Sequence, residues 1–156
     1  MNFDRDLFSE ILPNLWQGGT GDFDTLEFPK SFPVWGESKP WDSVATLYAV
    51  AHPMGWGIRE QRFGFPDSAL SDENIPHILE IAEWLHKEWK SGKKVLARCQ
   101  AGWNRSGLVV ALVLMKEGLS ADEAIALIRE RRSPNALCNA DFVRYLRNNR
   151  RVSSKV

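Results

Sequence analysis

The segment Cys99-Gln100-Ala101-Gly102-Trp103-Asn104-Arg105 places a thiol and a guanidinium at the two ends of one short loop, and Ser106-Gly107 follow directly. Such a loop, closed by a helix N-terminus, suits a phosphate dianion. Successive backbone N–H groups point inward, the helix dipole adds partial positive charge, and Gly102 lets the main chain curl without a Cβ clash. The same field favours a thiolate, lowering a cysteine pKa by roughly one to five units, which would make Cys99 a nucleophile at neutral pH. Arg105 can grip two phosphoryl oxygens with its planar fork and match the charge on the equatorial oxygens during transfer. The Ser106 hydroxyl can donate to the departing thiolate when water releases the phosphoryl group. Gln100, Ala101, Gly102, Trp103, Asn104 and Arg105 are thus the expected phosphate contacts, with Trp103 expected more as support for the loop than as a wall of its mouth.

The spacing alone recurs by chance, and a cysteine is often only a packed core residue. Here, however, the cysteine follows the apolar run Val95-Leu96-Ala97, and the arginine leads into the apolar stretch Leu108 to Glu117. Strand, tight loop and helix is the order that a phosphate cradle needs. The surrounding chain supplies compatible elements. Ile11 to Trp16 reads as a strand ending at Gly18-Gly19, Ser43 to Tyr48 is β-rich, and Arg62 to Phe65 is short and aromatic. Ile75, Ile78, Ala82, Leu85 and Trp89 share one helical face, with Asp72 or Asn74 as its cap and Ser91-Gly92 as its end. Ser120 with Glu123 forms a capping box, and Asn139 caps a last helix carrying Phe142, Val143 and Leu146. The expected fold is α/β: a single-domain three-layer sandwich, its central, mostly parallel twisted sheet flanked by helices, with the phosphate loop between a central strand and a helix.

At this point the chain resembles the cysteine-based protein tyrosine phosphatase superfamily, in its small dual-specificity branch, whose signature is His-Cys-x-x-Gly-x-x-Arg-Ser/Thr. The match is Arg98-Cys99-Gln100-Ala101-Gly102-Trp103-Asn104-Arg105-Ser106, with Ile11 to Gly19 like the family's opening strand and Lys93 to Leu96 like its pre-loop strand. Arg98 stands where the family has a histidine that orients the loop. The resemblance implies hydrolysis of phosphotyrosine, with phosphoserine and phosphothreonine depending on pocket depth, through a cysteinyl-phosphate intermediate. It also implies an aspartic acid upstream of the cysteine, after a short strand and before a helix, where Phe65-Pro66-Asp67-Ser68 lies. Asp67 is therefore the expected general acid, worth about 10²–10⁴-fold in rate. Asp72 competes but stands where a helix cap is needed.

The rest of the sequence narrows the function. The chain has 156 residues, 44% of them hydrophobic, which fits one soluble domain laid out as a 1–10 extension, a phosphatase domain over 11–147 and a basic tail over 148–156. Twenty basic and twenty acidic residues cancel, so neither nucleic acid nor a membrane surface is expected as a partner, and a phosphorylated protein or peptide is. Only two cysteines are present, Cys99 and Cys138, which fits a reducing, cytoplasmic setting, with Cys138 expected in the core and a monomer as the default. The N-terminal residues lack the pattern of a signal peptide, and the apolar run Leu108 to Met115 is too short to span a bilayer. His52, His77 and His86 have no ligand spacing, so no metal or cofactor is expected.

Other readings use the same loop. Low-molecular-weight tyrosine phosphatases and arsenate reductases place the cysteine near the N-terminus with the acid downstream. Phosphoinositide phosphatases tend to carry lysines where Gln100, Trp103 and Asn104 are neutral, and RNA triphosphatases are also related to this branch. A phosphate-binding pseudophosphatase is the alternative that Arg98 keeps open. Trp35, Trp41 and the stretch His52 to Gly57 lie in loops at strand ends, where ligands meet α/β sheets, so some of them could contact the substrate.

Overall fold

In a computed structural model of the chain, which describes residues 7–27 and 31–149, five strands form one sheet in the order β1-β2-β5-β3-β4. β1 (Phe8–Leu12) and β2 (Leu15–Gly18) form an antiparallel hairpin, and β2, β5 (Val95–Arg98), β3 (Ser43–Thr46) and β4 (Arg59–Arg62) run parallel. The single opening strand expected from Ile11 to Trp16 is therefore two strands. The turn between them is Pro13-Asn14, with Asn14 at φ 68°, a conformation that asparagine tolerates better than most residues. β4 lies three residues before the expected Arg62–Phe65: the polar Arg59-Glu60-Gln61-Arg62 pairs with β3, and the aromatic Phe63-Gly64-Phe65 begins the loop beyond it. A one-sided edge strand needs little apolar patterning, which is why composition pointed past it.

One face of the sheet is covered by the helices α1 (Asn74–Lys90), α2 (Arg105–Lys116), α3 (Ala121–Arg131) and α4 (Ala140–Asn148). α2 is buried from Ser106 through Met115, as an apolar sequence on all sides requires. It packs among α1, α3 and α4 and against Leu15, Ala45, Val95 and Ala97 of the strands. The capping box of Ser120 and Glu123 and the Asn139 cap form as expected. α1 does not start as expected: Glu73 holds its N-cap position without a side-chain cap, and Ser71, rather than Asp72 or Asn74, accepts from the first turn.

The opposite face is covered by loops carrying tryptophans. Trp41, Val44, Ile58 and Leu96 form a second core, with Phe8, Trp16, Trp35 and Met54 packed on it, and the Lys94 ammonium lies 5.0 Å from the Trp16 ring centroid. A cavity of about 800 Å³ opens among them. Trp35 and Trp41 thus serve this layer, on the far side of the sheet from the helices. The basic tail beyond Asn149 and the first six residues of the N-terminal extension lie outside the described residues, while Phe8 to Glu10 of that extension join β1. No helix among the described residues is long and apolar enough to cross a membrane.

Buried Glu88 ties α1 to the sheet. It accepts from Ser43 Oγ at 2.6 Å and from Arg59 Nε at 2.7 Å, with Lys93 Nζ 3.6 Å away. Burial pushes this carboxyl up, but the bonds from Ser43 and Arg59 and the charges of Arg59 and Lys93 outweigh it, so the pKa falls below its ordinary 4.5. A depressed carboxyl stabilises the fold above its unfolded pKa and loses that contribution as pH falls through the folded value. Thermal unfolding from pH 7 to pH 3 should therefore show acid destabilisation that is smaller in Glu88→Gln, which starts from a lower melting temperature at pH 7.

Candidate active site

The parallel strands end at Gly18, Thr46, Arg62 and Arg98, and the segments that follow them gather at that end of the sheet. The loop from Cys99 to Asn104 is held there by its carbonyl groups. Cys99 O accepts from Thr20 Oγ1 at 2.9 Å, and Gln100 O accepts from the Thr20 N–H at 2.9 Å. Ala101 O accepts from Arg132 Nη2 at 3.3 Å, and Gly102 O accepts from Gln17 Nε2 and Arg132 Nε, each at 3.0 Å. Trp103 O accepts from the Leu137 N–H at 3.1 Å. Five consecutive carbonyls are thus committed to the scaffold. The N–H groups of Gln100 to Asn104 donate to no acceptor among the described residues, which leaves these donors available to an anion.

At the start of the loop Cys99 is 2% exposed, and its Sγ lies 3.3 Å from Ser106 Oγ and accepts the Ser106 N–H at 3.4 Å. Arg105 opens α2. Its Nη1 donates to Phe65 O at 3.1 Å, its guanidinium lies 5.3 Å from the Tyr48 ring centroid, and its buried Nε has no partner. A buried guanidinium N–H without an acceptor costs free energy unless a ligand oxygen takes it, so Nε points to an anion in the loop. Asp67 is brought to this loop by side-chain bonds: Asn104 Nδ2 reaches Asp67 Oδ2 at 3.0 Å and Asn139 Nδ2 reaches Asp67 Oδ1 at 2.7 Å. All of the expected site residues therefore belong to one cluster. Asp72 has no such tie.

Arg98 departs from the role that its place in the loop motif suggested. Its side chain is buried on the loop-covered face, where Nε donates to Thr46 Oγ1 at 3.0 Å and Nη2 donates to His52 O at 2.6 Å and Glu60 Oε2 at 3.3 Å. Burial pushes its pKa down and the Glu60 carboxylate pulls it back up. Arg98 thus fixes the end of β5 to β3 and β4 through the sheet's other side. Cys138 is exposed rather than in the core, and its Sγ is 3.4 Å from Asn104 Nδ2. Sequence reasoning passed over Thr20, Gln17, Arg132, Leu137 and Tyr48, and gave Asn139 only its capping role. Among the described residues no group of three His, Cys, Asp or Glu side chains is gathered to hold a metal ion.

Residues 59–152 match the family model for the dual specificity phosphatase catalytic domain. The chain is 30% identical over 81 residues to protein 123R of Invertebrate iridescent virus 6, named as a tyrosine phosphatase. That alignment takes in 51% of this chain and 56% of the viral one, so the chain spans little more than half the length of that relative. Among solved structures, human DUSP28 superposes with a TM-score of 0.75 at 19% identity, covering 95% of each chain. The human tyrosine phosphatase-like serine/threonine/tyrosine-interacting protein gives 0.73 at 22%, covering 94% of this chain and 97% of that one. At these identities the structures share the fold.

Two substitutions separate the loop's geometry from its anchoring. Gly102 has φ +81°, and a Cβ there would lie 2.5 Å from the Gly18 carbonyl carbon. Gly102→Ala should cost about 1–3 kcal/mol in backbone strain alone and abolish binding of inorganic phosphate or vanadate, measured by thermal shift with and without the anion. Arg98→Met should lower stability by about 3 kcal/mol in urea, the low end for a broken buried pair because Arg62 still reaches Glu60.

Proposed function

This chain belongs to the family of dual specificity phosphatase catalytic domains, and on that premise we propose that it hydrolyses phosphotyrosine on proteins or peptides, with phosphoserine and phosphothreonine as further substrates. The observation that carries the reading is the loop itself: carbonyls bonded to the scaffold, N–H groups with no acceptor among the described residues, and Cys99 and Arg105 at its two ends with Arg105 Nε buried and unpartnered.

In the first step Cys99 Sγ forms a bond to phosphorus as the bond from phosphorus to the ester oxygen breaks, and Asp67 gives its proton to that oxygen. Loop N–H groups and Arg105 Nε hold the equatorial oxygens, whose charge they stabilise throughout transfer. Arg105 Nη1 remains on Phe65 O, so the same side chain that binds the phosphoryl group also holds the segment bearing the acid. In the second step Asp67 takes a proton from water, the water oxygen bonds to phosphorus, and the sulfur–phosphorus bond breaks. Ser106 Oγ, 3.3 Å from Cys99 Sγ, donates to the thiolate as it leaves.

A phosphorylated protein or peptide fits better than an inositol head group, since Gln100, Trp103 and Asn104 add no charge to the loop. The free thiols Cys99 and Cys138 suit a reducing cytoplasm. The catalytic domain is read as the unit 11–147, with β1 beginning before it at Phe8 and α4 running one residue past it to Asn148.

Cys99→Ser should abolish turnover of an aryl phosphate. Asp67→Asn should lower kcat by about 10²–10⁴-fold toward esters with poor leaving groups and far less toward activated ones. Initial rates with aryl phosphates, and with phosphotyrosine and phosphothreonine peptides, read both effects. A wild-type protein that binds phosphopeptide with no turnover would make this a binding module.

A further inference from the structure

Asn104 occupies the N-cap position of α2 without capping it. An asparagine in that place ordinarily accepts from the first turn of its helix. Here its side chain turns away: Nδ2 donates to Asp67 Oδ2 at 3.0 Å, and Oδ1 accepts the Asn139 N–H at 3.0 Å. Asn139 does two things at once. Its Oδ1 caps α4, accepting from Asp141 N at 3.0 Å and Phe142 N at 3.3 Å, while its Nδ2 donates to Asp67 Oδ1 at 2.7 Å and Ser68 O at 3.2 Å. Each oxygen of the Asp67 carboxyl therefore receives one amide, and the two amides come from different elements.

We propose that Asn104 and Asn139 are positioning residues for the general acid, clamping the Asp67 carboxyl against the phosphate loop before substrate arrives. The inference rests on the reading of Asp67 as the acid. A carboxylate oxygen has two lone pairs, so an amide on each oxygen fixes the plane of the group and leaves a second lone pair to carry the proton for the ester oxygen. Proton transfer depends on that orientation, and displacements of about 1 Å can cost 10²-fold. The acid lies on an exposed segment, Pro66 to Ala69, which supplies little packing to hold it. The clamp supplies what packing does not, and it also joins the acid segment, the phosphate loop and the start of α4 through one side chain, Asn104.

Asn139→Ser separates capping from clamping, because serine caps as well as asparagine but has no amide to give Asp67. Asn104→Ala removes the other half. The measurement is kcat across aryl phosphates of graded leaving-group pKa, with melting temperature alongside. Each variant should lose about tenfold on phenyl phosphate, a fraction of the acid's ~10²–10⁴-fold, lose little on dinitrophenyl phosphate, and show a steeper leaving-group dependence. Asn139→Ser should melt close to wild type. In an Asp67→Asn background neither change should lower kcat further, since the group being positioned is gone. Equal losses on all esters, or losses that add to that of Asp67→Asn, would overturn the clamp while leaving the acid assignment intact. If Asp67→Asn itself leaves the leaving-group dependence unchanged, the acid assignment fails and the clamp with it.

Discussion

The site depends on hydrogen bonds that point away from it. A loop whose N–H groups converge on one point must find partners elsewhere for its carbonyls, or it would unfold into a turn that satisfies both. Thr20, Gln17, Arg132 and Leu137 provide those partners from three separate stretches of chain. Each reaches the loop only because the sheet and helices are assembled. β2 brings Gln17 and, just beyond its end, Thr20. The end of α3 brings Arg132, and the segment before α4 brings Leu137, held at φ 58° where a leucine is rarely found. That strained residue is fully buried, and its own carbonyl accepts from Arg129 Nη2 at 2.9 Å, so the surrounding structure enforces the conformation.

This architecture explains what could be read from the chain. The thiol, the guanidinium and the serine share one contiguous stretch, so their spacing was visible directly. Helical periodicity revealed α1 and the capping box revealed α3, because both are local properties. A mostly parallel α/β sheet was legible from strands followed by helices, but its order was not, because β2, β3 and β4 are joined by loops and β5 inserts between β2 and β3 only through tertiary pairing. Gln17 and Arg132, by contrast, look like an ordinary strand residue and an ordinary surface cation, and only tertiary contact gives them a task. Asn139 was legible as a cap because capping is local, whereas its reach to Asp67 spans 72 positions. Cys138 was misplaced for a related reason: its apolar neighbours Ala136 and Leu137 are buried, but the turn into α4 leaves the thiol outside.

Arg98 shows how a residue type can change while the loop geometry persists. Its place next to Cys99 suggested a role on the loop, yet strand alternation sends its side chain to the opposite face from that thiol. There a buried cation is sustained by Glu60, Thr46 and the His52 carbonyl, which braces β5 against its parallel neighbours. The loop-covered layer, with its tryptophans, is thus an active support for the end of the strand that delivers the cysteine.

The polar sequence of β4 has a meaning beyond this bracing. A sheet edge with unpaired main-chain groups is a template onto which another molecule's strand can add, and repeated addition is the route to insoluble β-aggregates. β4 is four residues long, reads Arg-Glu-Gln-Arg, and turns Glu60 toward the buried Arg98, so a strand adding there would meet charge on both faces. The opposite edge, β1, has an irregular register between Glu10 and Leu12 that interrupts flat pairing. Both margins of the sheet therefore resist edge-to-edge association, and the ion pair that steadies the end of β5 also discourages the chain from polymerising.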